Sequence, residues 1–192
     1  CEFKNLIFWD IYRMNKANRI FIVSDSSYKP TKMFLDQTPK LGKGFIRLGN
    51  DVRTFSYGIA LACKNPFKSS TISKLLYKSR TDRILADQIK SYRPHIVCVS
   101  FASVFDAETV KTMRLAAPEA VFIGFDGDAW PKFQKERIET AKELDILTAT
   151  NDGQFLQDYR DAGVPCCAFM PNMCDPDTDH RYEVADQWKA DI

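Results

Sequence analysis

The chain has 192 residues, 45% of them hydrophobic and 27% charged, so it is long enough for one domain with a substantial core and too apolar for a disordered chain. Its 27 basic and 25 acidic residues nearly balance, for a formal net charge of +2, which gives no reason to expect the broad positive field of a nucleic-acid-binding protein. No apolar stretch approaches the roughly 18 to 20 residues that span a bilayer, so we expect no transmembrane segment.

Residues 1–16 are expected to precede the fold. The opening sequence CEFKNLIFWDIYR lacks a clean hydrophobic signal core and a small-residue cleavage site. The sequence MNKANRIFIVS begins only at Met14. We therefore interpret residues 1–16 as a leader or extension and residues 17–174 as the folded domain.

The six cysteines indicate a reducing compartment. They are spread without zinc-type CxxC pairs, and two of their contexts, IVCVS and VPCCAF, are apolar and strand-like. Buried, reduced thiols account for this pattern and predict a cytoplasmic protein.

Short apolar segments predict six β-strands. Four of the six are nearly continuous apolar runs, as expected for strands that helices cover on both faces. The predicted strands are residues 19–24, 51–57, 95–101, 120–125, 146–149 and 165–170.

Amphipathic segments between these strands predict helices. Each has one apolar stripe at helical spacing on an otherwise polar surface. The stripes are Leu41, Phe45 and Leu48; Leu85, Ile89 and Tyr92; and Val110, Met113 and Ala117. Helices that join buried strands define an α/β fold with a Rossmann-like, doubly wound parallel sheet and right-handed crossovers. Residues 58–79 exceed the length of a simple crossover, which predicts an additional loop and helix.

Small and polar residues follow nearly every predicted strand. In open α/β sheets, ligands bind outside the carboxyl ends of the strands, where the strand order reverses. For any single residue, a helix cap is the simpler interpretation, but their accumulation at one edge predicts a cleft. The residues are Ser24, Asp25, Ser26, Ser27, Tyr28, Ala102, Ser103, Asp126, Gly127, Asp128, Thr150, Asn151, Asp152, Pro171 and Asn172.

The sequence GFDGDAWP, which contains Asp126 and Asp128, has three interpretations. An Asp-x-Asp pair can hold a divalent cation through carboxylate oxygens, as in metal-dependent sugar transferases. One carboxylate can instead act as a base toward a substrate hydroxyl. Alternatively, Asp128 caps a helix that begins near Trp130 and Pro131, because proline is favoured in a first turn.

Other candidate sites carry weaker signals. A dinucleotide fingerprint and a P-loop are both absent after the first strand, which continues as SDSSYKP. Gly42 and Gly44 are expected just before the first helix, either approaching a phosphate through backbone N–H groups or forming a turn. The basic residues Lys40, Lys43, Arg47 and Arg53 could meet an anionic ligand or form a solvated helix face.

The order of these segments resembles the N-terminal half of GT-B glycosyltransferases, within the spore-maturation-protein-like group. The similarity covers residues 17–192 and includes GKGFIRLGNDVRTFSY, DRILADQIKSYRPHIVCVSF and FIGFDGDAWP. Its most specific part is residues 145–179, with Thr150, Asn151 and Asp152 after a strand, then YRDAGV and Pro171. The turn RLGNDVRTF departs from the family pattern, because Asn and Asp replace His and Glu.

The resemblance implies two Rossmann-like domains that face each other across a cleft. The second domain would hold most of a nucleotide-sugar donor, and this chain would hold a glycan, lipid-linked or protein acceptor. Residues 175–192 would be the interdomain linker and the start of that second domain, so the chain alone would be inactive. No tightly bound cofactor or metal is implied.

The resemblance also assigns candidate site residues. Asp126 would bind or deprotonate the acceptor hydroxyl, and Asp128 would face the cleft beside it. The remaining cleft residues would be Ser24, Asp25, Ser26, Ser27, Gly42, Gly44, Ser103, Thr150 and Asn151.

Two alternatives remain open at the level of sequence. A non-catalytic, flavodoxin-like α/β module with a binding or regulatory role would have the same pattern of strands and helices. A single-domain, metal-dependent sugar transferase would use the Asp-x-Asp pair. The expected location is cytoplasmic, and peripheral membrane association is left open by the balanced charge.

Overall fold

A computed structural model describes residues 17–24, 37–63, 70–100, 105–127, 135–179, 183 and 185–186. Within these residues the chain forms a six-stranded parallel sheet flanked by helices. The strands are β1 (Arg19–Ser24), β2 (Asp51–Ser56), β3 (Ile96–Ser100), β4 (Val121–Asp126), β5 (Ile146–Ala149) and β6 (Cys167–Phe169). All six predicted strands are confirmed, each within two residues at either end.

The helices described by the structure lie in the connections between strands. They are α1 (Gln37–Arg47), α2 (Tyr57–Ala62), α3 (Ser70–Tyr92), α4 (Ala107–Ala116), α5 (Lys135–Lys142) and α6 (Gln154–Asp161). Two helices, α2 and α3, join β2 to β3, which confirms the additional helix predicted there. No helix in the described ranges is both long and apolar enough to cross a membrane.

The strand order is β2-β1-β3-β4-β5-β6, with every neighbouring pair parallel. The chain moves from β1 to β2 in one direction and then crosses to β3 on the other side of β1. The order therefore reverses between β1 and β3, and their carboxyl ends mark the switch point. The α/β fold class with a Rossmann-like, doubly wound parallel sheet is confirmed.

One face of the sheet, here called the broad face, carries most of the core. Phe21, Val23, Val97, Val99 and Phe122 lie on it, and all are at most 2% exposed. Helical residues from the predicted stripes pack against them: Leu85, Ile89, Val110, Met113 and Ala117. At about 25 cal/mol per Å², burial of these side chains is a main source of stability.

The opposite face, here called the α1 face, has a smaller core. Ile20, Ile22, Ile96 and Cys98 are buried there, and Leu41, Phe45, Val52 and Ile123 pack against them. Of the three residues in the predicted α1 stripe, Leu48 is 76% exposed. The helix ends at Arg47, and Gly49 at φ 80° turns the chain, so Leu48 lies beyond the packed stripe.

In the described part of the chain no helix covers the α1 face of β5 and β6, which differs from the expectation that helices cover the strands on both faces. Right-handed crossovers put a helix on one face for a step to the left and on the other for a step to the right. Only the step from β1 to β2 runs opposite to the others, so α1 is the only helix on its face within the described ranges. Ile123, Ile146 and Thr148 on that face are half-buried and Ala168 is exposed, although Phe125 is buried.

The cysteines differ in part from expectation. The five within the described ranges are free, as predicted, but Cys63 and Cys174 are exposed. Cys98 is buried in β3, where burial raises the pKa of its thiol to about 12. A thiol with that pKa stays protonated and acts as a small apolar core residue.

Candidate binding site at the carboxyl edge of the sheet

The switch point between β1 and β3 is lined by small hydroxyl side chains. Ser24 and Ser100 end these two strands, pair with each other in the sheet register, and are 3% and 0% exposed. Thr38, near the start of α1, is also buried and donates its hydroxyl to Ser100 Oγ at 3.0 Å. Three buried hydroxyl groups therefore gather where the fold rule places a ligand.

Gln37 adds an unpaired acceptor at this position. It precedes Thr38, and its side-chain oxygen Oε1 is buried with no hydrogen-bond donor among the described residues. A buried acceptor without a donor costs about 1–3 kcal/mol. A ligand hydroxyl that donated to this oxygen would remove that cost, so Gln37 belongs to the candidate site although the sequence analysis did not identify it.

The glycines of α1 do not form a loop before the helix, so that prediction is wrong. Gly42 and Gly44 lie inside α1, where their N–H groups belong to the helical ladder. The low helix propensity of glycine favoured a loop, but the packing of α1 against β1 places both glycines inside the helix. A Cβ on Gly42 would lie 3.6 Å from Ile22 Cδ1, so the helix runs close over β1 at this residue.

Asp126 is buried in an ion pair and does not face a cleft, which corrects the expected orientation. It ends β4, is 1% exposed, and its Oδ2 accepts from the guanidinium of Arg137 on α5. Tyr159 on α6 donates its hydroxyl to the same oxygen at 3.2 Å. The other oxygen, Oδ1, is buried without a partner among the described residues.

This arrangement ties β4 to two helices. Burial, and then the neighbouring Asp126 carboxylate, raise the pKa of Tyr159, so its hydroxyl stays protonated and remains a donor. A general base must reach a substrate hydroxyl, whereas this carboxylate is enclosed by protein. The geometry favours a positioning role for Asp126.

Thr150 joins the ends of β4 and β5. Its hydroxyl donates to the carbonyl oxygen of Gly127 at 2.9 Å, and its N–H donates to that of Asp126 at 3.2 Å. Asn151 follows and is half-buried. Thr150 thus fixes the backbone of the turn that follows Asp126, and Asn151 lies next to it at the same edge.

The remaining predicted site residues lie outside the described residues. They are Asp25, Ser26, Ser27, Ser103 and Asp128. Of the two aspartates in GFDGDAWP, the structure therefore describes only Asp126, and the helix-cap interpretation of Asp128 stays a prediction. Within the described ranges, no group of three or more potential metal-ligating side chains occurs.

A second buried polar cluster lies between β2 and the helices that follow it. Tyr57 donates its hydroxyl to Asp82 Oδ1 at 2.6 Å, and Lys78 donates to Asp82 Oδ2 at 2.7 Å. Lys78 also donates to the hydroxyl of Thr109 at 2.9 Å. The only sequence signal was the i, i+4 spacing of Lys78 and Asp82, which is common on solvated helices.

The charges in this cluster fix its protonation. Burial, and then hydrogen bonding to Asp82, raise the pKa of Tyr57. Burial lowers the pKa of Lys78, but its contacts with Asp82 and Asp106 together outweigh burial and the net pKa is raised. Both side chains therefore keep their protons at neutral pH and hold α3 and α4 to the end of β2.

The basic residues of α1 contact an acidic segment of the same chain. This acidic segment comprises residues 175–179, DPDTD, and its three aspartates pair with Lys40, Lys43 and Arg47. Arg53 lies apart from this set, 5.9 Å from the ring centroid of Tyr92. The predicted solvated helix face is thus an intramolecular contact for three of the four basic residues.

No protein-family model matches the chain, and no curated protein matches it either. The geometry of the carboxyl edge and the order of the sequence segments are therefore the grounds for a function.

Proposed function

We propose that this chain is the acceptor-side domain of a GT-B glycosyltransferase of the spore-maturation-protein-like group. The enzyme would transfer a sugar from a nucleotide-sugar donor to a glycan, lipid-linked or protein acceptor in the cytoplasm or at the membrane periphery. A second domain would hold most of the donor. The doubly wound parallel sheet and the segment order over residues 145–179 support this proposal.

The observation that carries the proposal is the polar switch point. Its buried groups are the hydroxyls of Ser24, Ser100 and Thr38 and Oε1 of Gln37, which has no donor among the described residues. Sugar hydroxyls both donate and accept hydrogen bonds, so they match a site that offers hydroxyls and a free acceptor. Such a site would disfavour a ligand that offers no hydroxyl to Gln37 Oε1, because this acceptor would then keep no donor among the described residues.

Asp126 has a supporting role in this proposal. Its carboxylate holds Arg137 and Tyr159, and thereby α5 and α6, against the end of β4. The turn at Gly127, which Thr150 braces, would then present its backbone to the acceptor. The group that deprotonates the acceptor hydroxyl would come from elsewhere in the cleft.

A flavodoxin-like binding or regulatory module is the second candidate. The order of the first five strands, β2-β1-β3-β4-β5, is that of flavodoxin-like sheets. Those sheets bind a flavin mononucleotide at the same β1/β3 switch point. Since one fold hosts many functions, ligand chemistry at the switch point separates the two candidates.

The protein that contains this chain should release nucleoside diphosphate from UDP-, GDP- or dTDP-linked sugars when an oligosaccharide acceptor is added. Gln37→Met removes the unpaired acceptor atom at similar side-chain volume. We expect it to raise the KM for the acceptor about 2- to 10-fold, the value of one hydrogen bond, while the KM for the donor stays the same. The stability of the free protein should not fall.

The matched control is Gln88→Met, on the exposed surface of α3, which should leave both KM values unchanged. If no donor is turned over with any acceptor in the panel, the transferase proposal fails. If turnover occurs but Gln37→Met behaves like Gln88→Met, the acceptor does not bind at the switch point.

A further inference from the structure

The contact between α1 and the acidic segment joins parts of the chain that are far apart in sequence. Lys40 Nζ lies 2.6 Å from Asp179 Oδ2, and Lys43 Nζ lies 2.7 Å from Asp175 Oδ2. Arg47 Nη2 lies 2.6 Å from Asp177 Oδ2, and Lys43 also contacts this oxygen. The cations follow i, i+3, i+7 spacing, so they form one basic face of the helix.

The acidic segment is held in a tight turn by its own hydrogen bonds. The N–H of Asp175 donates to Asp179 Oδ2 at 2.8 Å, and the N–H of Asp177 donates to Asp175 Oδ1 at 3.2 Å. The N–H groups of Thr178 and Asp179 donate to the carbonyl oxygen of Asp175 at 2.9 and 2.7 Å. These bonds hold the turn together and fix the carboxylates of Asp175 and Asp179 within it.

The path of the chain makes this contact a strap across the sheet. β6 is the last strand of the sheet, whereas α1 packs over β1 and β2 and reaches the end of β3 through Thr38. Three strand spacings separate β6 from β3, roughly 14 Å. The five residue steps from Met170 to Asp175 span roughly 16 Å when extended, and these residues have no regular secondary structure. Residues 170–179 therefore cross the sheet with little slack and end beside the switch point.

The ion pairs between α1 and the acidic segment are weak enough for other anions to compete with the aspartates. Exposed ion pairs contribute about 0–1 kcal/mol each, and the side chains of Lys43, Arg47 and Asp177 are 39%, 44% and 59% exposed. Asp175, at 5% exposed, is the buried anchor. An intramolecular partner acts at an effective concentration on the order of millimolar, so a multivalent anion at similar concentration can compete.

We propose that residues 170–179 form a reversible latch, and that the basic face of α1 beneath it is a binding site for multivalent anions, which the chain's own aspartates occupy until such an anion displaces them. This inference is independent of the proposed function, since it concerns α1 and the acidic segment alone. Opening the latch would free three cations next to the start of α1. Closing it would hold the chain after β6 against the sheet.

Amide hydrogen exchange, followed residue by residue by NMR, tests the latch in the whole chain. We expect the amides of Asp175, Asp177, Thr178 and Asp179 to exchange at least about fivefold faster in 1 M than in 0.05 M NaCl, because salt screens exposed pairs. Sodium tripolyphosphate at 10 mM should speed the exchange of these amides more than NaCl of equal ionic strength does. Amides of β3 should not change.

Variants separate the latch from general loss of stability. Lys43→Met combined with Arg47→Met should speed exchange of the acidic segment at low salt and abolish the effect of tripolyphosphate. Lys142→Met, which removes another exposed ion pair, is the matched control and should do neither. Lys43→Arg combined with Arg47→Lys keeps both positive charges and should retain slow exchange at low salt.

The latch would be overturned if amide exchange in the acidic segment responded neither to salt nor to the Lys43 and Arg47 substitutions. An effect of tripolyphosphate equal to that of NaCl would overturn the anion site. If the double Met variant speeds exchange in β3 as much as in the acidic segment, the contact is structural and the proposal fails.

Discussion

At the scale of single residues, the buried ion pair of Asp126 with Arg137 holds β4 to α5 at the carboxyl edge of the sheet. Both side chains are nearly inaccessible to solvent, and a charge at such a position is tolerated only when paired and hydrogen-bonded. Removal of one partner from a buried pair costs far more than the pair itself contributes. Asp126 therefore makes a larger contribution to the fold than its position in a polar turn indicates.

Asp126→Asn should lower the free energy of unfolding by about 3–5 kcal/mol, because it leaves the guanidinium of Arg137 buried without its counter-charge. Urea unfolding measures this loss. The double variant of Asp126→Leu with Arg137→Met should be more stable than Asp126→Asn, since it removes both charges. A fully stable Asp126→Asn protein that has lost sugar transfer would instead restore the assignment of Asp126 as the base.

At the scale of elements, the sheet is packed unequally on its two faces. Five of the helices in the described ranges lie on the broad face, because each step from β2 onward runs in the same direction along the sheet. Among the described helices, α1 alone packs on the opposite face, over β1, β2 and the adjoining part of β3. The side chains of β5 on the α1 face therefore contribute less burial than their neighbours on the broad face.

Substitutions at two neighbouring residues of β5 test the difference in burial between the two faces of the sheet. Leu147 is 1% exposed on the broad face, whereas Ile146 is half-buried on the α1 face. Leu147→Ala should cost about 2–5 kcal/mol of unfolding free energy, typical of a buried cavity, and Ile146→Ala should cost less than about 1.5 kcal/mol. Equal losses in urea unfolding would show that the α1 face over β5 is as well covered as the broad face.

The strands could be predicted from sequence because each is a local apolar run. Residues 19–24 and 146–149 were predicted with the bounds that β1 and β5 have. The one-sided covering could not be predicted, because it depends on strand order, which no local pattern encodes. Likewise, the carboxyl edge was predictable from the polar strand ends, but the burial of Asp126 depends on α5 bringing Arg137 to it.

At the scale of the whole molecule, three features meet near the start of α1. The strand order reverses there, the buried hydroxyls and the unpaired Gln37 oxygen lie there, and the strap of residues 170–179 ends there. The contacts at this end of α1 link the first and last parts of the described domain. A ligand at the switch point would thus bind where the two are held together.

The most direct test of a sugar-binding switch point is a map of amide chemical shifts in the ¹⁵N-labelled chain. Oligosaccharides such as maltohexaose and chitohexaose, nucleotide sugars and flavin mononucleotide are added in turn. We predict that an oligosaccharide shifts the amides of Ser24, Thr38 and Ser100 and leaves those of Asn18 and His95, at the opposite edge, in place. Shifts at the switch point with flavin mononucleotide and with none of the sugars would contradict the account and support the flavodoxin-like module.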